Sequence, residues 1–306
     1  MLKFAAHRVG QALIAVFGVL TIVFVVLHLS GDPTLLLVPP DASAEMIEEL
    51  RHQLGFDRPL WVQYLGYMGD LLRLDFGQSV VQRIPAIDIV AARVPYTLEL
   101  AGGALLVSIG VGLPVGIVMA TFPGGWLERI LTAIVVTGQS VPTFLSGILM
   151  IAVFAVWLRW LPSSGASDPG SLIMPSIALG ALSMSTFARM TRIAIADELG
   201  KDYVRAAMAR GLSRSSVVLF HVLRNAAIPV ISIAALEIGN LLAGAVIIET
   251  VFAWPGIGQL AIQSIQARDF LVAQMVVLLI SIVYVLTSLL ADFVYAAVDP
   301  RIRLER

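Results

Sequence analysis

The chain has 306 residues, of which 58% are apolar and only 13% charged. A soluble domain carries about 25% charged residues, so this charge set is too sparse to cover a water-facing surface, and much of the surface must face lipid. A net charge of −1 without a basic run gives no footing for a nucleic-acid partner, and the absence of cysteine excludes disulfides, thiolate metal sites and cysteine nucleophiles.

A spanning helix needs about 20 mostly apolar residues. Six stretches qualify, at about Val9 to Leu29, Thr97 to Thr121, Ile130 to Leu158, Ser171 to Met190, Ala226 to Ile248 and Ala273 to Ala296. Lys3 and Arg8 precede the first as they would in a signal peptide. It is too long for a signal h-region, however, and no A-x-A site follows before Ser30-Gly31-Asp32-Pro33, so it reads as a retained helix. With the N-terminus in the cytoplasm, 13 of the 20 Lys and Arg fall in inside segments and 7 in outside segments, although the inside segments are shorter. That bias sets both termini inside. The expected fold is therefore an all-α integral membrane protein of about six transmembrane helices, forming one transmembrane domain over residues 1–306.

Two hydrophilic segments interrupt the spans. Residues 30–95 lie outside. They contain a short helix from Ser43 to Leu54, with Ser43 as N-cap and Gly55 just past its end. A second helix follows over Trp61 to Leu72, with Trp61, Leu65, Met68 and Leu72 at helical spacing. Together these suit a lid of interfacial helices, or a docking or gating element for an external protein. Residues 191–225 lie inside and read as helix, break, helix. The first helix runs from Ile195 to Arg210 with Asp197 and Glu198 near its start, in line with the helix macrodipole. Gly211 is its stop and Ser213 the next N-cap, before a helix from Arg214 to Asn225. Ala206, Ala207, Ala209 and Gly211 offer a small-residue surface that another backbone can approach closely.

The only Gly-Lys pair, Gly200-Lys201, is followed by Asp202, so there is no P-loop for ATP. His7, His28, His52 and His221 have no metal-ligand spacing. Gly138-Gln139-Ser140 lacks the following glycine of a nucleophile elbow, and no histidine lies in a nearby span. What remains is polarity at membrane depth, which is costly and marks functional candidates. Glu237 and Asn240 share a face of the fifth span, and Gln139 and Ser140 precede Pro142 in the third. These four are the candidates for a polar translocation path. Asp292 in the sixth span, with Glu237, leaves an ion-coupled secondary transporter as the alternative.

Beyond these local patterns the sequence resembles a family: the B-type permease subunits of bacterial dipeptide, oligopeptide and nickel ABC importers. The matching residues run in order along nearly the whole chain. They begin with Gly31-Asp32-Pro33, Leu54-Gly55-Phe56-Asp57-Arg58-Pro59-Leu60, Asp75-Phe76-Gly77-Gln78-Ser79 and Arg93-Val94-Pro95-Tyr96-Thr97. Ser140-Val141-Pro142-Thr143-Phe144, Leu161-Pro162-Ser163-Ser164-Gly165, Trp254-Pro255-Gly256-Ile257-Gly258 and Asp299-Pro300-Arg301 follow. The most specific match is Asp202 to Leu212, then His221, Arg224, Asn225 and Pro229, which looks like the EAA signature, with Arg205 at its acidic position and Arg210 where lysine is common.

The resemblance implies a type I importer permease in the bacterial inner membrane. It further implies that Asp202, Tyr203, Arg205, Ala206, Ala207, Arg210, Gly211 and Leu212 dock an ATPase subunit. The implied partners are a second related permease, two ATP-binding subunits and an extracytoplasmic substrate-binding protein, besides membrane lipid. ATP and Mg would be bound by the ATPase partners, and no cofactor by this chain.

Overall fold

The computed structural model describes residues 2–29, 42–73 and 75–298. Gly31-Asp32-Pro33 and Asp299-Pro300-Arg301 lie outside the described residues, as does the side chain of Asp292. Every regular element among the described residues is a helix, and the chain gathers into two compact units.

The first unit comprises Lys3–Pro95 and Gly256–Val285. It holds α1 (Leu2–Leu29), α2 (Ala44–Leu54), α3 (Leu60–Leu72), the first turns of α4 (Ala86–Thr121), α11 (Ile257–Gln266) and the start of α12 (Phe270–Val298). α2 has the expected ends. The Ser43 hydroxyl accepts the Met46 N–H at 3.2 Å, and Gly55 turns left-handed at φ +74°. There Gly55 N–H reaches the His52 carbonyl and Phe56 N–H the Arg51 carbonyl, the paired bonds of a Schellman cap. The core joins Ala86, Ile89 and Val90 of α4 to Ile257 and Leu260 of α11 and Val272 and Val276 of α12. Buried Asp269, between α11 and α12, accepts the Ser79 hydroxyl and, at 3.3 Å, the Val80 N–H, which ties the loop before α4 to this core.

The second unit comprises Tyr96–Pro255 with the chain ends. It holds the rest of α4, α5 (Trp126–Ser140), α6 (Thr143–Met150, continued by a wider π-helical stretch Ile151–Trp157), α7 (Ile173–Leu199) and α8 (Asp202–Ala209). α9 (Arg214–Val217), a π-helical turn Val218–Val222 and α10 (Leu223–Val251) complete it. α7 is the central helix. Leu100, Ala104, Met174, Ala178, Leu179, Leu241 and Ile248 join α4, α7 and α10 in one core. Glycines let α4 approach α7: a Cβ on Gly112 would stand 2.7 Å from the Met184 carbonyl, and one on Gly116 2.5 Å from the Ala188 carbonyl. Such small-residue contacts are how helices associate where lipid removes the hydrophobic drive between them. In the same unit the Trp254 indole donates to the Tyr96 carbonyl at 2.8 Å, and Thr97 donates to the fully buried Glu249 at 2.6 Å.

Among the described residues, three helices are long and apolar enough to cross a membrane: Ala86–Thr121, Ser215–Val251 and Phe270–Ala291. α5 and α6 form a fourth if counted as one span, but they meet at 105°. The third apolar stretch expected from Ile130 to Leu158 is thus built of two helices broken at Pro142. A residue before proline is pushed out of the α region; Val141 is extended (φ −87°, ψ 124°), and Pro142 at ψ 138° starts a new helix in another direction. α4 begins at Ala86, eleven residues before the predicted span, and carries Pro95 within it. The helix expected from Ile195 to Arg210 is two: α7 runs on to Leu199, and α8 restarts after an extended Lys201 (ψ 153°).

Candidate docking and translocation site

The residues 202–212 form a short helix with a well-defined end. α8 stops at Arg210, and Gly211 adopts φ +89°. Gly211 N–H bonds the Met208 carbonyl at 2.9 Å and Leu212 N–H the Ala207 carbonyl at 3.4 Å, again a Schellman pair. Ser213 then caps α9, its hydroxyl accepting Ser216 N–H at 3.3 Å and its carbonyl Val217 N–H at 3.0 Å. Glycine is required at 211 by backbone conformation alone, because a Cβ there would meet no atom within 4 Å.

The eight residues that the resemblance marks for docking do not share one face. Asp202, Arg205, Ala206, Arg210, Gly211 and Leu212 are exposed, together with Met208 and Ala209. Ala207 instead joins Ile195, Val204, Val217, Val222 and Ala226 in a core linking α7, α8 and α10, with Tyr203 packed against it. Asp202 and Arg205 pair at 2.9 Å on the open face, a surface ion pair of little stabilising worth whose groups stay available to a partner.

Under α8 lies a residue whose role the sequence did not disclose. Asp197 and Glu198 end α7 rather than beginning a helix, so the macrodipole disfavours them there. Glu198 is buried and compensated: Lys201 donates to one carboxylate oxygen, the Tyr203 hydroxyl donates to the other at 2.7 Å, and the Asn225 side chain bonds it as well. Burial pushes the Glu198 carboxyl up, but these hydrogen bonds and the Lys201 charge prevail and hold it below the usual carboxylate range. The bond to Glu198 raises Lys201 against its own desolvation. Burial and then the same carboxylate raise Tyr203. One carboxylate thus joins the end of α7, the exposed helix α8 and the start of α10.

The membrane-depth candidates fall into two sets, both against α7. Glu237, buried on α10, accepts the Ser183 hydroxyl of α7 and, at 3.4 Å, the Asn240 amide one turn away. Gln139 accepts from Arg189 of α7 at 2.9 Å, while Ser140 donates to the Val136 carbonyl of its own helix at 2.9 Å. Among the described residues, the hydrogen bonds of Glu237 and Asn240 stay separate from those of Gln139 and Ser140. Near the start of α5, buried Glu128 accepts Arg192 of α7 and the Gly124 N–H at 2.5 Å. Ser183, Arg189 and Arg192 sit on three turns of one helix, and the only sequence signal for them is an unusual density of hydroxyl and arginine residues in an apolar run.

A helical bundle with polar groups held on its central helix and a capped, exposed helix beside it is compatible with the membrane component of a transport system. The chain belongs to the family of binding-protein-dependent transport system inner membrane components. The family model matches residues 112–304, and the model for the N-terminal part of such components matches residues 1–101. The glutathione transport system permease protein GsiC of Escherichia coli strain K12 is 41% identical over 304 residues, 99% of each chain. GsiC of Shigella flexneri serotype 5b (strain 8401) is 40% identical over the same coverage. Among solved structures, the inward-facing MetNI methionine ABC transporter matches with a TM-score of 0.59 at 23% identity, covering 70% of this chain and 97% of that one. A crystal structure of an amino acid ABC transporter with histidines matches at 0.54 and 15%, covering 69% and 94%. These last two likenesses establish the fold. The chain is thus a multi-pass inner membrane permease subunit of an ABC importer, and the ion-coupled alternative is set aside.

Proposed function

We propose that this chain forms half of the translocation path for small peptides, paired with a second, related permease. Two ATPase subunits bind ATP and Mg on the cytoplasmic side, and an extracytoplasmic binding protein delivers cargo. The chain would cross the membrane six times with both termini inside, residues 30–95 outside and residues 191–225 inside. The observation that carries the docking part is α8: a helix held by a double-bonded glycine cap, exposing Asp202, Arg205, Ala206, Arg210, Gly211 and Leu212, and tied from below through Tyr203 to Glu198. Nucleotide-driven movement of the ATPases shifts α8, and the spans alternate between outward-open and inward-open access. ATP can drive this only because its bound states differ in affinity for the two forms.

A glutathione-sized peptide is the cargo class favoured by the likeness to GsiC. Gln139, Ser140, Glu237 and Asn240 are the path candidates, with Glu237 suited to a cationic group such as a peptide amino terminus. The test is a pull-down of the tagged chain from mild detergent, joined to uptake of labelled glutathione and dipeptides into vesicles. Co-purification of ATPases and a second permease, with vanadate-sensitive uptake, is expected. A chain that purifies alone, with uptake abolished by an uncoupler and insensitive to vanadate, would overturn the proposal.

A further inference from the structure

α3 departs from the rest of the external segment. Its 13 residues contain a single charge, Asp70, and no residue of it is buried. α2, by contrast, carries Glu45, Glu48, Glu49 and Arg51 in 11 residues. At about 100° per residue, Trp61, Leu65 and Leu72 fall within about 40° of one another, and Gln63 and Asp70 lie on the opposite side. The apolar line is bare: Trp61 is 67% exposed, Leu65 61% and Leu72 88%. The polar line is supported at its start, where the Gln63 amide donates to the Phe56 and Arg58 carbonyls.

The third side of α3 fixes where the helix sits. Tyr64 meets Phe17 and Phe24 edge to face, with ring centroids 6.3 and 5.2 Å apart, and its hydroxyl bonds Thr21 at 2.7 Å. Tyr67 stacks on Phe24 at 5.6 Å. Phe17, Thr21 and Phe24 all lie inside the apolar stretch Leu13–Val26 of α1. α3 is therefore held against the apolar stretch of α1, not beyond its end. α1 likewise exposes apolar side chains, at Leu13, Ile14, Phe17 and Ile22. A helix with Trp61 and leucines along one line and Gln63 and Asp70 along the opposite one suits a membrane interface, with its apolar side among acyl chains.

We infer that α3 is embedded in the outer leaflet, with Trp61, Leu65 and Leu72 against lipid, and that α2 alone stands in water. The chain has no cysteine, so single labels can be placed cleanly. Leu65→Cys, Leu72→Cys and, as the water-side reference, Glu48→Cys would each carry an NBD fluorophore. The whole complex would be held in phosphatidylethanolamine/phosphatidylglycerol nanodiscs containing doxyl lipids. The expected result is blue-shifted emission at 65 and 72, quenched several-fold more by doxyl lipid than by iodide, with the reverse at 48. Iodide quenching at 65 and 72 equal to that at 48 would overturn the inference in favour of a water-exposed lid. Shielding of both positions from both quenchers would overturn it in favour of a protein covering the face.

Discussion

Substitutions at Gly211 separate two reasons for a glycine that usually come together. Its φ of +89° lies where an L residue costs about 1–2 kcal/mol, with Asn paying less. A Cβ there would touch nothing of the chain within 4 Å. Gly211→Ala therefore carries the backbone cost alone, a factor of about 5–30 against the capped end of α8. Gly211→Trp carries the same backbone cost, and any further loss must come from a clash with a docked subunit. The assay is co-purification of ATPases with the tagged chain, combined with vesicle uptake. Gly211→Asn should retain both nearly in full and Gly211→Ala should lose a modest part of each, while Gly211→Trp loses ATPase association with the chain still inserted and folded. A Gly211→Trp chain that binds ATPases and transports as the native chain does would refute docking over this glycine, leaving it a turn former only.

Three further outcomes follow from the same geometry. Gly116→Ala pushes a methyl to 2.5 Å from the Ala188 carbonyl and should destabilise the α4–α7 contact by about 1–3 kcal/mol; Gly110→Ala, with nothing within 4 Å, should be neutral or stabilising by up to about 1 kcal/mol. Thermal unfolding of both variants in detergent checks the pair, and equal melting points would sink the packing argument. Tyr203→Phe removes one hydrogen bond to the Glu198 carboxylate, worth about 1.5–3 kcal/mol before discounting for partial exposure, and should increase hydrogen exchange in α8 and lower transport per ATP consumed.

The clamp has a defined pH window. Glu198 is depressed, so its contribution is present above the ordinary carboxylate pKa of about 4.3 and lost as pH falls through its lower folded value. Lys201 is raised, so its contribution is present below about 10.4 and lost as pH rises through its higher folded value. Protection of the α8 amides, taken relative to the base-catalysed intrinsic exchange rate, should therefore hold across neutral pH and fall in acid, and a fall already at neutral pH would contradict it. Glu237→Gln keeps the shape that accepts Ser183 and removes the charge. Uptake of basic peptides should fall more than that of neutral ones, and equal loss would remove the electrostatic role.

What was legible in the sequence was local. Ser43 and Gly55 bound α2 as expected, and Gly211 and Ser213 mark the stop and restart around α8, because a cap is written in residues within one turn of it. The break at Gly200 and Lys201 was not legible. No proline marks it, and what secures it is Glu198 taking hydrogen bonds from Lys201 and Tyr203 across the gap. The apolar surroundings of Pro142 read as one span, whereas Val141, extended before the proline, sets a 105° turn there. The burial of Ala207 was equally hidden, since it is made by Val217 and Val222 on the next helix. Glu237 was visible as a charge in a span, whereas its partner Ser183 lies 54 residues away.

α7 runs for 27 residues from the core between α4 and α10 to the carboxylate beneath α8 without an interruption, and at 1.5 Å per residue it is a rod about 40 Å long. A helix unbroken over that length can tilt as a single lever. A tilt of about 10° around its midpoint would carry each end about 3.5 Å in opposite directions. In such a tilt a push at Glu198 arrives at the opposite end reversed in sign, and Ser183 and Arg189, nearer the fulcrum, travel least.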